Sequence, residues 1–159
     1  PLFTPETEWV MPEELKDLTG AKQIAIDLET NDPHLKELGS GNVTGKGHIA
    51  GVAVAVEGWS GYFPIQHESN GNMDKKLVFS WLQDMFNQED TTFIIHNAMY
   101  DICWLRSSGL TIKGKPISSA IFIACGKVLA IPLLACFKLS LCKRFLNLSL
   151  SSARSIEVY

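Results

Sequence analysis

Beyond Asp101 the sequence has almost no acid: Glu157 stands against eight lysines and arginines. Residues 1–101 carry the opposite excess, sixteen acidic side chains to six basic, so formal charges of −10 and +7 lie behind the overall −3. A split this abrupt within 159 residues means either that two segments do different jobs or that the second did not evolve with the first. The four cysteines, Cys103, Cys125, Cys136 and Cys142, include no C-x-x-C pair and no histidines at zinc-finger spacing, which argues against a structural zinc site. Pro1 to Glu6 lack the basic and apolar segments of a secretory leader, so free thiols and a reducing, cytoplasmic location are expected. The missing initiator methionine reads as the mark of a fragment.

What is present describes one globular domain: 46% hydrophobic and 19% charged residues exclude wholesale disorder and collagen-like repetition. The one long apolar run, Ile117 to Phe137, has the length of a membrane span but holds Gly126, Lys127 and Pro132 in its middle. A lysine at that depth costs about 3 kcal/mol, so no membrane partner is expected, and a membrane-tethered protein is kept only as a third reading.

Gln23-Ile24-Ala25-Ile26-Asp27-Leu28 reads as a strand that ends in charge. A Gly-rich hairpin loop from Leu38 to Gly47 leads to a second strand, His48–Val56, and the turn Glu57-Gly58-Trp59-Ser60-Gly61 to a third, Tyr62–Ile65, with Pro64 on an edge. Leu77, Val78, Trp81, Leu82, Met85 and Phe86 then form the stripe of an amphipathic helix. Thr92–Ile95 reads as a buried strand, with a second helix from about Asn97. The expected fold class is therefore α/β: an antiparallel three-stranded meander plus parallel strands in one mixed sheet flanked by helices.

Chemistry concentrates at two places. In Asp27-Leu28-Glu29-Thr30, alternation points Asp27 and Glu29 to the same side of the strand end. Two such carboxylates repel unless a cation lies between them, and a hard oxygen donor set selects magnesium or manganese over zinc. In His96-Asn97-Ala98-Met99-Tyr100-Asp101, Asn97 and Asp101 stand one helical turn apart. His96 with Cys103 is no persuasive nucleophilic pair, a buried core cysteine being the commoner case; Tyr100 is expected to pack beneath the site.

A strand-end D-x-E-T followed by H-N-x-x-Y-D resembles the first two signature motifs of the DEDD superfamily of 3′-to-5′ exonucleases, and among them the proofreading domain of family A DNA polymerases of phage and bacterial type. Trp9-Val10-Met11-Pro12-Glu13-Glu14-Leu15 and Gly61-Tyr62-Phe63-Pro64-Ile65-Gln66-His67 resemble the same group, and the similarity covers roughly Trp9 to Gly114. The resemblance implies a ribonuclease-H-like fold and hydrolysis of DNA from the 3′ end with two Mg2+ or Mn2+ ions. It implies that Asp27, Glu29 and Asp101 are catalytic carboxylates and metal ligands, and that Thr30 and Asn97 contact nucleic acid. The implied partners are a single-stranded DNA 3′ end and a polymerase domain further along a longer parent chain.

The third motif of that family, a helix with the fourth carboxylate and the residue that orients the attacking water, has no counterpart after Asp101. Residues 1–20 are thus read as a leader, 21–116 as an incomplete exonuclease-like domain, and 117–159 as a truncated or frame-disturbed tail. The activity is expected to be weak or lost. The alternative is a catalytically inactive module that binds nucleic acid or supports a polymerase.

Overall fold

Alternation along Gln23–Asn31 sends Ile24, Ile26 and Leu28 to one face and Ala25, Asp27 and Glu29 to the other, and this nine-residue segment is β1. The computed structural model describes residues 12–68 and 71–118. The leader up to residue 11 and the expected tail from residue 119 lie outside the described residues, and with them most of the apolar run.

After β1 the chain makes two single-turn helices, α1 (Leu35–Leu38) and α2 (Gly41–Thr44), where the glycines read as a plain hairpin loop. The Asp32 carboxylate accepts the Gly41 N–H at 2.8 Å and starts α2, a local side-chain bond that composition does not reveal. β2 (His48–Val56) and β3 (Trp59–Pro64) form a hairpin closed by Glu57-Gly58, with Gly58 at φ 78°. β3 starts three residues earlier than expected because this turn is only two residues long, Val56 pairing directly with Trp59.

Asp74 caps α3 (Lys75–Phe86), its Oδ1 accepting the N–H groups of Lys76 at 2.7 Å and Leu77 at 3.3 Å. Val78, Leu82, Met85 and Phe86 face the sheet, whereas Leu77, expected in the stripe, is 57% exposed, because it lies one position ahead of Val78 and so turns off that face. β4 (Thr92–Ile95) is followed by α4 (Ala98–Ser107) and by β5 (Lys115–Ser118). β5 was not anticipated: four residues with Pro116 carry little strand signal, and the strand crosses the boundary expected at 116 and takes in the start of the apolar run.

The sheet order is β3-β2-β1-β4-β5, with β2 antiparallel to both neighbours and β1, β4 and β5 mutually parallel. This is the expected mixed sheet of ribonuclease-H-like type, with β3 and its Pro64 on an edge of the five strands. The main core packs Ile24, Ile26, Phe63, Phe93 and Ile95 of the sheet against α3 and against Trp104 and Leu105 of α4. Each such side chain contributes about 1.5–3 kcal/mol on burial. Ala25, Ala53, Ala55, Tyr62 and Ile94 form a second buried group on the opposite face, the face of Asp27 and Glu29. Among the described residues no helix is long and apolar enough to cross a membrane.

Candidate functional site

The carboxyl end of β1 is the acidic feature of the central sheet. Asp27 pairs in register with Ala53 and Glu29 with Gly51, so both carboxylates rise from one face of the strand and both are half-buried. Immediately after Glu29 the register with β2 slips: Thr30 pairs with Ile49, which leaves Ala50 as the extra residue of a bulge. A bulge here bends the ladder and re-aims the side chains that follow.

Parallel pairing aligns Ile26 with Ile95, so β1 and β4 bring Asp27 and His96 to the same level of the sheet. β4 stops at Ile95, and α4 begins three residues later with Asp101 in its first turn. Asp101 is 4% exposed, one of two buried polar residues among those described. The end of β1 and the first turn of α4 are joined by the Thr30 and Tyr100 hydroxyls, 2.8 Å apart, and the Tyr100 ring meets Trp104 edge-on. Tyr100 is thus half-buried between the Thr30 hydroxyl, which bonds to it, and the Trp104 ring.

Asn97 is placed differently from its expected position. It is the cap of α4 rather than a helical residue, in the left-handed region at φ 51° and ψ 50°, so it does not share a helix face with Asp101. Its side chain makes no capping bond and is exposed, while Asp101 points inward. Cys103, which read as a core residue, is exposed on α4 because Trp104 and Leu105 take the inward positions of that turn.

The donors at this end, Asp27, Glu29 and Asp101, offer hard carboxylate oxygens of the kind that suit Mg2+ or Mn2+. Among the described residues, no three side chains of His, Cys, Asp or Glu stand close enough together to hold a metal ion. Asp27 and Glu29 share the end of β1, and Asp101 lies on the turn of α4 whose Tyr100 bonds to Thr30; the described residues form no three-ligand set.

Beside Glu29 lies a pair that the spacing of the histidines did not reveal. The Tyr62 hydroxyl and His67 Nε2 are hydrogen-bonded to one another, ring edge to ring face. Burial, and then repulsion from His48, hold the His67 imidazole below its ordinary pKa. One sequence signal for this pair is Gly51, a lone glycine within a β-branched strand, which marks a close approach by another group.

No family profile matches the chain. Similar proteins include one of Pseudomonas phage M6 named DNA-directed DNA polymerase, 36% identical over 118 residues that cover 71% of this chain and 18% of that protein. Another, of Bacillus phage SP01, is named DNA polymerase and is 30% identical over 105 residues, 58% of this chain and 11% of that protein. The chain is thus related to a part of phage DNA polymerases and spans less than a fifth of the length of these relatives.

Proposed function

We propose that this polymerase-related domain, from about residue 21 onward, is of the 3′-to-5′ exonuclease type and engages the 3′ end of single-stranded DNA beside a polymerase domain of a longer parent chain. The observation that supports the reading is the Thr30–Tyr100 bond, which links the end of β1 that carries Asp27 and Glu29 to the turn of α4 that carries Asp101. Relatives named as DNA polymerases support the context.

In this reading Asp27, Glu29 and Asp101 hold Mg2+ or Mn2+. Ionised carboxylates repel one another and close up only around a cation. Two such ions, held by these carboxylates, would lower the pKa of the attacking water and stabilise the leaving 3′ oxygen. The chain's own groups do the rest: Tyr100 fixes the Thr30 hydroxyl at the rim, and exposed Asn97 offers its amide to the strand.

A second reading, a non-catalytic module that binds nucleic acid or supports a polymerase, is favoured by the single acid after Asp101. The two part in an assay of a 5′-labelled single strand with Mg2+. The exonuclease reading expects shortening from the 3′ end that Asp27→Ala abolishes. The rate should be about 10²–10⁴ below that of a homologous domain with a fourth carboxylate and a water-orienting group. Binding with no shortening at any enzyme excess would favour the second reading, and shortening that survives Asp27→Ala would defeat the first.

A further inference from the structure

We propose that the Tyr62 hydroxyl, held by His67 in the space that Gly51 leaves open, positions the carboxylate of Glu29. The inference rests on the reading above of Glu29 as a working carboxylate. Gly51 is the cross-strand partner of Glu29 and contributes no side chain to their shared face. That place is taken from the other side: a Cβ built on Gly51 would overlap Tyr62 Oη and Cζ and lie 2.8 Å from Cε2. The phenol of β3 therefore crosses β2 and ends where a Gly51 side chain would begin. Cross-strand Cβ atoms on one face are about 4.5–5.5 Å apart, and the Glu29 carboxylate extends two carbons beyond its Cβ, which brings it within hydrogen-bond reach of Tyr62 Oη.

The hydroxyl is held firmly. Tyr62 is 9% exposed and bonded to His67. The His67 N–H donates to Asn72 Oδ1 at 2.7 Å, and Asn72 Nδ2 donates to the His67 carbonyl at 2.9 Å. The N–H groups of Ile65 and Gln66 both donate to the Ala50 carbonyl, at 2.9 and 3.0 Å. Ala50 is the bulge residue that follows the Glu29 register, so one irregularity both bends the acidic strand end and anchors the His67 segment. With the Nε2–H tautomer of His67 donating to the Tyr62 oxygen, the phenolic O–H donates to Glu29, and the carboxylate is held in one orientation.

The test is a double-mutant cycle of Tyr62→Phe and Glu29→Gln in the full chain, read by urea unfolding and by Mn2+ affinity from water-proton relaxation. The expected result is coupling: Tyr62→Phe lowers the unfolding midpoint in the native background and much less beside Glu29→Gln. Mn2+ affinity should fall about tenfold in Tyr62→Phe and likewise in His67→Gln, which leaves the phenol ring in place. Additive unfolding effects would overturn the contact. Coupled unfolding with unchanged Mn2+ affinity in Tyr62→Phe would overturn the positioning role. If the native chain binds no Mn2+, the exonuclease reading falls, and the unfolding cycle alone decides the Tyr62–Glu29 contact.

Discussion

Asn97 occupies a backbone region that costs a residue with a Cβ about 1–2 kcal/mol, though asparagine tolerates it better than most. Asn97→Gly should leave stability within about 1 kcal/mol of the native chain, while Asn97→Ala should destabilise it by about 1 kcal/mol. Under the proposed function both variants weaken binding of single-stranded DNA, and urea unfolding beside a binding titration separates the two effects. His67 gives a second residue-scale prediction. Burial and the neighbouring His48 depress its pKa from 6.5, so the unfolded chain takes up a proton on this ring at a pH where the folded chain still resists. Folding stability from this source is present above about pH 6.5 and is lost as pH falls from there toward the lowered folded value. In His67→Gln the urea midpoint should fall less between pH 7 and pH 5; an unchanged slope would contradict this. Asp27, Glu29 and Asp101 were legible as candidates because carboxylates at a strand end and in a helix turn are local patterns. Tyr62 was not, because its role depends on a glycine in the neighbouring strand that no spacing rule connects to it.

At the scale of elements, the long ones and the apolar strand β4 were readable, and the other four-residue elements were not. β2 matches its expected bounds, and α3 its stripe except for Leu77, because nine to twelve residues of one period outweigh local detail. α1, α2 and β5 have four residues each and are set by contacts: Asp32 to Gly41, or pairing with β4. The Asp74 cap offers a direct check on α3. Asp74→Ala removes the acceptor for two backbone N–H groups and should cost about 1 kcal/mol, seen as a lower urea midpoint with an unchanged slope. Gly114 is a tight spot before β5: an added Cβ would stand 2.5 Å from Phe93 Cε2 and 2.6 Å from the Thr91 carbonyl. Gly114→Ala should destabilise the fold by about 1–3 kcal/mol, and no loss of stability would show that this junction can yield.

Across the whole molecule, the sheet order sets the position of the acidic strand end: β1, which carries Asp27 and Glu29, lies at the centre of the five strands rather than on an edge. The central claim is that this end binds the 3′ terminus of a single strand through divalent cations. Fluorescence anisotropy of a labelled single strand, with its 3′ hydroxyl free or blocked, tests it most directly across a Mg2+ titration of the native chain and of Asp27→Ala. The account predicts Mg2+-dependent binding of the free 3′ end that falls at least about tenfold in Asp27→Ala. Binding that ignores Mg2+, or that is equal in the native chain and in Asp27→Ala, would contradict it.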